Sequence, residues 1–141
     1  MKVNGGVILE TIKNPALEVF KKWSEKVKNV VGEGNYAMER SESVAPGKKK
    51  YARIFLLGNP TINGDLEGNE CATTASFQVD SFAAGFKSLS AVYDIDNASH
   101  EAMVSMGFRR TYGPEEQNNI DNSIKRIVSR YSRVYMGELE M

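Results

Sequence analysis

Residues 71–82 read CATTASFQVDSF, and their period of two decides the class of fold. Cys71, Thr73, Ala75, Phe77 and Val79 fall on one side of an extended chain, and Thr74, Ser76, Gln78 and Asp80 on the other. A strand with one dry and one wet face belongs to an antiparallel sheet, because strands of a parallel sheet are apolar on both sides. Upstream lies a loop rich in Asn, Gly, Asp and Glu, and before it residues 51–57 (YARIFLL) form the clearest apolar strand, ended by Gly58-Asn59-Pro60. Residues 36–44 (YAMERSESV) alternate more weakly and reach that strand through Ala45-Pro46-Gly47 and a basic tip of Lys48, Lys49 and Lys50. Downstream, residues 108–112 (FRRTY) read as a short strand closed by Gly113-Pro114. A polar connection over 115–122 leads to a last strand over 124–136.

Two segments carry the helical period instead. After Asn14, an N-cap candidate, and Pro15 at the first helical position, Leu17, Phe20, Ser24, Val27 and Val31 recur three or four apart. Val19, Trp23 and Val30 widen this stripe, lysines fill the solvated face, and Gly32 stops a helix of about 16 residues. Residues 86–106 repeat the pattern with Phe86, Leu89, Val92, Tyr93, Ile95, Met103 and Met106, and Gly107 is the left-handed stop. Asp94, Asp96 and Glu101 are expected to point away from that stripe.

The order helix-β-β-β-helix-β-β describes an α+β fold: a mostly antiparallel sheet, meander-connected, covered by two helices that need an apolar face. At 141 residues the chain is read as a single domain, 1–141, with residues 1–13 a possible arm and 137–141 a short tail.

The composition, 41% apolar and 26% charged, excludes an intrinsically disordered chain. Eighteen basic against eighteen acidic side chains give no cationic surplus for coating nucleic acid, and charge near zero favours association. The zero conceals a separation along the chain. Residues 1–53 hold 11 basic and 6 acidic side chains, 54–105 hold 1 and 7, and 106–141 hold 6 and 5. Folding either intermixes these blocks or builds one acidic and one basic face suited to a head-to-tail contact between copies.

Catalytic signatures are missing from the sequence. One Cys (Cys71) and one His (His100) allow no disulfide framework and no His/Cys zinc cage within the chain. Cys71 reads as a small buried hydrophobe rather than the nucleophile of a Cys–His pair. Asp94 and Asp96 are two apart on a helix and do not face one site, and residues 63–70 lack the EF-hand ligand order. No phosphate-binding or nucleophile-elbow motif occurs, and no apolar run is long enough to span a membrane. No cofactor, no metal, no membrane partner and no enzymatic reaction are expected.

One cluster remains. Arg109, Arg110, Lys125, Arg126, Arg130 and Arg133 lie on two strands that are neighbours in sequence; Arg126 and Arg130 share a face, and Arg133 falls on the other. Tyr112, Tyr131 and Tyr135 interleave with them, as on a nucleic-acid platform. Pairing with acids of the same or a neighbouring subunit competes with that reading.

Residues 73–82 (TTASFQVDSF), 103–110 (MVSMGFRR), 113–115 (GPE) and 126–131 (RIVSRY), in this order and spacing, resemble phage tail terminator proteins, also called tail completion or head–tail joining proteins. The resemblance covers about residues 71–136; the first 70 agree in element order only, and the Gly-rich start and the lysine-tipped turn depart from the family. It implies a structural virion protein, made in the host cytoplasm, that assembles with itself as a ring, commonly a hexamer. Its implied partners are the tail tube protein and the head–tail connector or neck proteins, with DNA passing through the lumen without sequence-specific binding. On that basis Arg109, Arg110, Arg126 and Arg130, with Asp80, Asp94 and Asp96, become subunit-contact candidates, and Lys48, Lys49 and Lys50 a loop tip reaching a partner ring or the lumen. A related neck or tail-tube component, or a small nucleic-acid-binding module using the Arg/Tyr strands, are the alternatives.

Overall fold

The computed structural model describes residues 13–40, 49–62, 72–118 and 123–139. Residues 1–12 of the expected arm, Lys48 of the lysine turn, Cys71, the loop over 63–70 and the end of the tail lie outside them.

The elements run α1 (Ala16–Val31), β1 (Tyr36–Met38), β2 (Lys50–Gly58), β3 (Thr61–Ile62), β4 (Ala72–Ala84), α2 (Ser88–Ser105), β5 (Arg109–Gln117) and β6 (Ile124–Tyr135). The strands form one sheet in the order β1-β2-β4-β6-β5, with β3 also pairing β4. Every pairing is antiparallel except β1 with β2. The fold is therefore α+β, as the strand and helix periods require.

At the start of helix α1, Pro15 rather than Asn14 holds the N-cap position, its carbonyl accepting the first helical bond from Val19, while Asn14 Oδ1 accepts from the Ala16 N–H at 2.8 Å. Its buried stripe is Val19, Trp23, Val27 and Val31, each four residues on, whereas Leu17 is 74% exposed. Helix α2 ends at Gly107 (φ +84), with the Phe108 N–H reaching the Met103 carbonyl and Gly107 that of Val104, a Schellman closure. The two helices share one side of the sheet, where Trp23 and Met103 meet Ile54, Phe77, Val79 and Tyr131 in the main core. Across the helix pair the Trp23 indole N–H donates to Ser99 Oγ at 2.9 Å, both wholly buried.

Five expectations change. The hairpin expected before residue 50 is not formed, because β1 runs parallel to β2, Tyr36 opposite Ala52. The strand ended by Gly58-Asn59-Pro60 resumes as β3, with the Pro60 carbonyl accepting from Thr74. Gly113-Pro114 does not close β5; the chain bulges between Arg110, Tyr112 and Glu115 and pairs on to Gln117. Phe86 precedes α2 instead of opening it, and with Leu89 and Tyr93 it stands outside the core. Finally, the wet face of β4 is dry at its centre: Gln78 is 6% exposed and Asp80 is fully buried, for the reason given below.

Candidate functional site

Strand register sorts the charged residues into two layers. In β4 the odd positions from Thr73 to Ala83 face the helices, so the even ones, Ser76, Gln78, Asp80 and Phe82, face the other side. Register brings Arg53 of β2 opposite Asp80, and Arg126 and Arg130 of β6 opposite Phe82 and Gln78. On β5, Tyr112 lies opposite Arg130 and Arg109 opposite Ser132, on this same face.

At its centre is a buried polar chain. Asp80 Oδ2 accepts from Arg53 Nε at 2.8 Å and Nη2 at 2.7 Å, and from Arg126 Nη2 at 3.2 Å. The other carboxylate oxygen accepts from Gln78 Nε2 at 2.8 Å, and Gln78 Oε1 in turn accepts from Arg130 Nε at 3.0 Å. Three guanidinium cations thus gather on one carboxylate and one amide. Long side chains over rings roof this face. Arg53 sits over Phe82 at 5.1 Å, Arg130 over Tyr112 at 5.0 Å and Arg40 over Phe55 at 4.9 Å. Asp80 tolerates burial because two guanidiniums and an amide replace the hydration it loses. Arg109 and Arg130 are exposed on this face, and arginine is the side chain suited to pairing with a carboxylate or phosphate.

The second layer lies under α2. Asp96 is 1% exposed, and its oxygens accept from Arg110 Nη2 at 2.9 Å and from Ser129 Oγ at 2.7 Å. Arg110 also donates to the Tyr131 hydroxyl at 2.8 Å, and His100 Nδ1 is 3.2 Å from that hydroxyl. Burial pushes the Tyr131 phenol up to about 12 despite the lowering effect of Arg110. Burial, and then the Arg110 charge, push the His100 imidazole below its usual value. Both groups are held neutral near pH 7, as structural members of a hydrogen-bonded cluster.

The subunit-contact candidates divide accordingly. Arg109, Arg130 and Asp94 stand at the surface, Lys49 is exposed and Lys50 half-buried at the start of β2. Asp80 and Asp96 are interior, so neither carboxylate is presented to a neighbour; each already binds arginines of its own chain. Arg110 and Arg126 are those arginines and are only partly exposed. Tyr131 and Tyr135 are buried on the helix side, which removes them from a nucleic-acid platform and leaves Tyr112 alone of the three beside the open-face arginines. Arg133 does fall on the face opposite Arg126 and Arg130, where its guanidinium donates to the Met106 carbonyl at the C-terminus of α2. No sequence motif marks Arg53 or Gln78, although a cation within the apolar run YARIFLL is itself the mark of a buried ion pair.

Among the described residues no helix is long and apolar enough to cross a membrane. No family model matches the chain, and no curated protein matches it in sequence. Among solved structures, the chain is similar in fold to one chain of the virion of a native gene transfer agent particle. The TM-score is 0.57 at 14% identity, over 86% of this chain and 96% of the other.

Proposed function

We propose that this chain is a structural virion protein that caps a phage-type tail tube at its final length and forms the ring joining tail to head. The observation that carries the reading is the likeness of fold to a chain of a virion particle, spanning nearly the whole of both chains. The tail terminator resemblance of residues 71–136 adds the specific role. The chemistry of the face agrees with it. The polar groups of the sheet are committed to holding Arg53, Arg126 and Arg130 in place, which suits a rigid docking surface. In this reading the chain catalyses no reaction, holds no cofactor, and works by shape: a ring, most simply a hexamer, matches the last tube ring on one side and lacks tube-like edges on the other. Neck proteins dock on that second side, and DNA passes through the lumen without sequence reading.

Light scattering on the eluting protein, with negative-stain imaging of the same fractions, tests this directly. A closed ring with a central hole that binds purified tube ends is the expected result. A monomer at high concentration with tight, salt-sensitive DNA binding would instead establish the nucleic-acid module and end the terminator reading.

A further inference from the structure

Helix α2 is apolar on two sides. Val92, Ile95 and Met103 face the sheet, while Leu89, Tyr93 and Val104 lie together on another arc and are 44%, 41% and 50% exposed. Phe86, in the turn just before α2, is 93% exposed. The turn that holds it out is unusual: Gly85 has φ +90, and Lys87, a residue with a side chain, sits in the left-handed region at φ +60. A non-glycine residue there costs about 1 kcal/mol or more, an outlier of the kind found where a side chain is being aimed.

A receiving feature lies elsewhere on the same chain. Between the start of α1 and the end of β6 is a groove of about 460 Å³ whose lining mixes polar and apolar groups: Leu17, Tyr135 and Met136, with Glu18 and Lys13 as its charges. Leu17 and Met136 are 74% and 70% exposed. Tyr135 pairs with Thr73 at one end of β4, and Phe86 follows Ala84 at the other. At about 3.3 Å per residue, the two features are roughly 36 Å apart along the sheet and cannot meet within one copy.

We infer that Phe86 of one copy seats in the Leu17/Met136 groove of the next, with Lys87 against Glu18, making the head-to-tail contact of the assembly. The occupant is a second copy because the chain carries both halves: an aromatic with a cation beside it at one end, and a groove walled by exposed Leu17 and Met136 with Glu18 beside them at the other. Among the described residues Glu18 pairs with Lys22, four residues on, at 3.9 Å with both side chains partly exposed, so it is open to Lys87. A knob and a groove at separate sites form a heterologous contact, which closes a ring when the rotation between copies closes. This inference rests on the ring reading above and specifies where the ring is joined.

The test uses the full chain and two variants, Phe86→Asp and Leu17→Asp, both at exposed positions and checked for folding by circular dichroism. Each variant alone sediments as a monomer, since every junction lacks one half. Mixed, they form a one-to-one dimer and nothing larger, because one intact groove meets one intact Phe86. Phe86→Ala weakens self-association by roughly 30- to 150-fold, the equivalent of one phenyl ring's burial. Lys87→Glu also weakens it, and adding Glu18→Lys restores it. If Phe86→Asp still forms rings like the wild type, or the mixture stays monomeric, the contact is overturned while the ring reading stands. A wild-type chain that is monomeric at every concentration overturns both.

Discussion

Replacing Asp80 by alanine removes the carboxylate on which Arg53 and Arg126 converge. Arg53 is 4% exposed and takes two bonds to that carboxylate, at 2.8 and 2.7 Å, so the substitution strands a buried cation. Breaking a buried pair in this way costs about 3–5 kcal/mol, mostly for the charge left without a partner. Arg126, a quarter exposed and at 3.2 Å, keeps much of its solvation and adds about 1 kcal/mol or less. A total near 4 kcal/mol is a large part of the roughly 5–15 kcal/mol that holds a domain together. With a urea slope of about 2 kcal/mol per molar, the unfolding midpoint should fall by roughly 2 M. Trp23, the single tryptophan and wholly buried, reports that transition by its fluorescence. The cost belongs to the stranded cation, so Arg53→Met together with Asp80→Ala should be less destabilised than Asp80→Ala alone. A loss below about 1 kcal/mol for Asp80→Ala, or the same loss in the Arg53→Met background, would refute the ion-pair account of the sheet's open face.

Three further outcomes are expected. Ser99→Ala leaves the buried Trp23 indole N–H, now bonded at 2.9 Å, without an acceptor, and should cost about 1–3 kcal/mol in chemical unfolding. Because the folded His100 has a lowered pKa, the unfolded chain binds the proton first as pH falls through its usual 6.5. Stability should therefore drop on acidification through that region, and the slope should flatten in His100→Asn. Gly113→Ala places a Cβ 2.2 Å from the Val128 carbonyl oxygen at φ +86, whereas Gly34→Ala, at φ +79, meets nothing within 4 Å. Thermal melts should show Gly113→Ala clearly the worse of the two, since only it adds a backbone clash to the conformational cost of about 1–2 kcal/mol.

Much of the secondary structure is legible because it depends on neighbours in sequence. The start of α1 just after Pro15, the end of α2 at Gly107, and the strands of the apolar runs of β2 and β4 all follow from local spacing. Where a polar residue sits in depth is not local. Asp96 reads as solvated helix surface until Ser129 and Arg110, from two later strands, are brought to it. The alternation of β4 likewise marks Gln78 and Asp80 correctly as opposite in side to Phe77 and Val79. Whether that side is wet depends on Arg53 and Arg126 arriving from both adjacent strands. Phe86, Leu89 and Tyr93 fit the helical period, but α2 has apolar residues on two arcs, and periodicity alone does not say which arc meets the sheet.

Zero net charge, split into a basic, an acidic and a mixed block, is a property of the sequence, and so is the α+β class. The tertiary structure decided what the blocks do. Arg53 from the first block and Arg126 from the third close on Asp80 of the second, and Arg110 of the third closes on Asp96. The blocks are joined within one copy at these points, and two of the three acids expected to meet a neighbour, Asp80 and Asp96, are spent inside. The physical reason is that a buried carboxylate needs its counter-charges within about 3 Å, and only strand register, set by the whole sheet, determines which cations come that close.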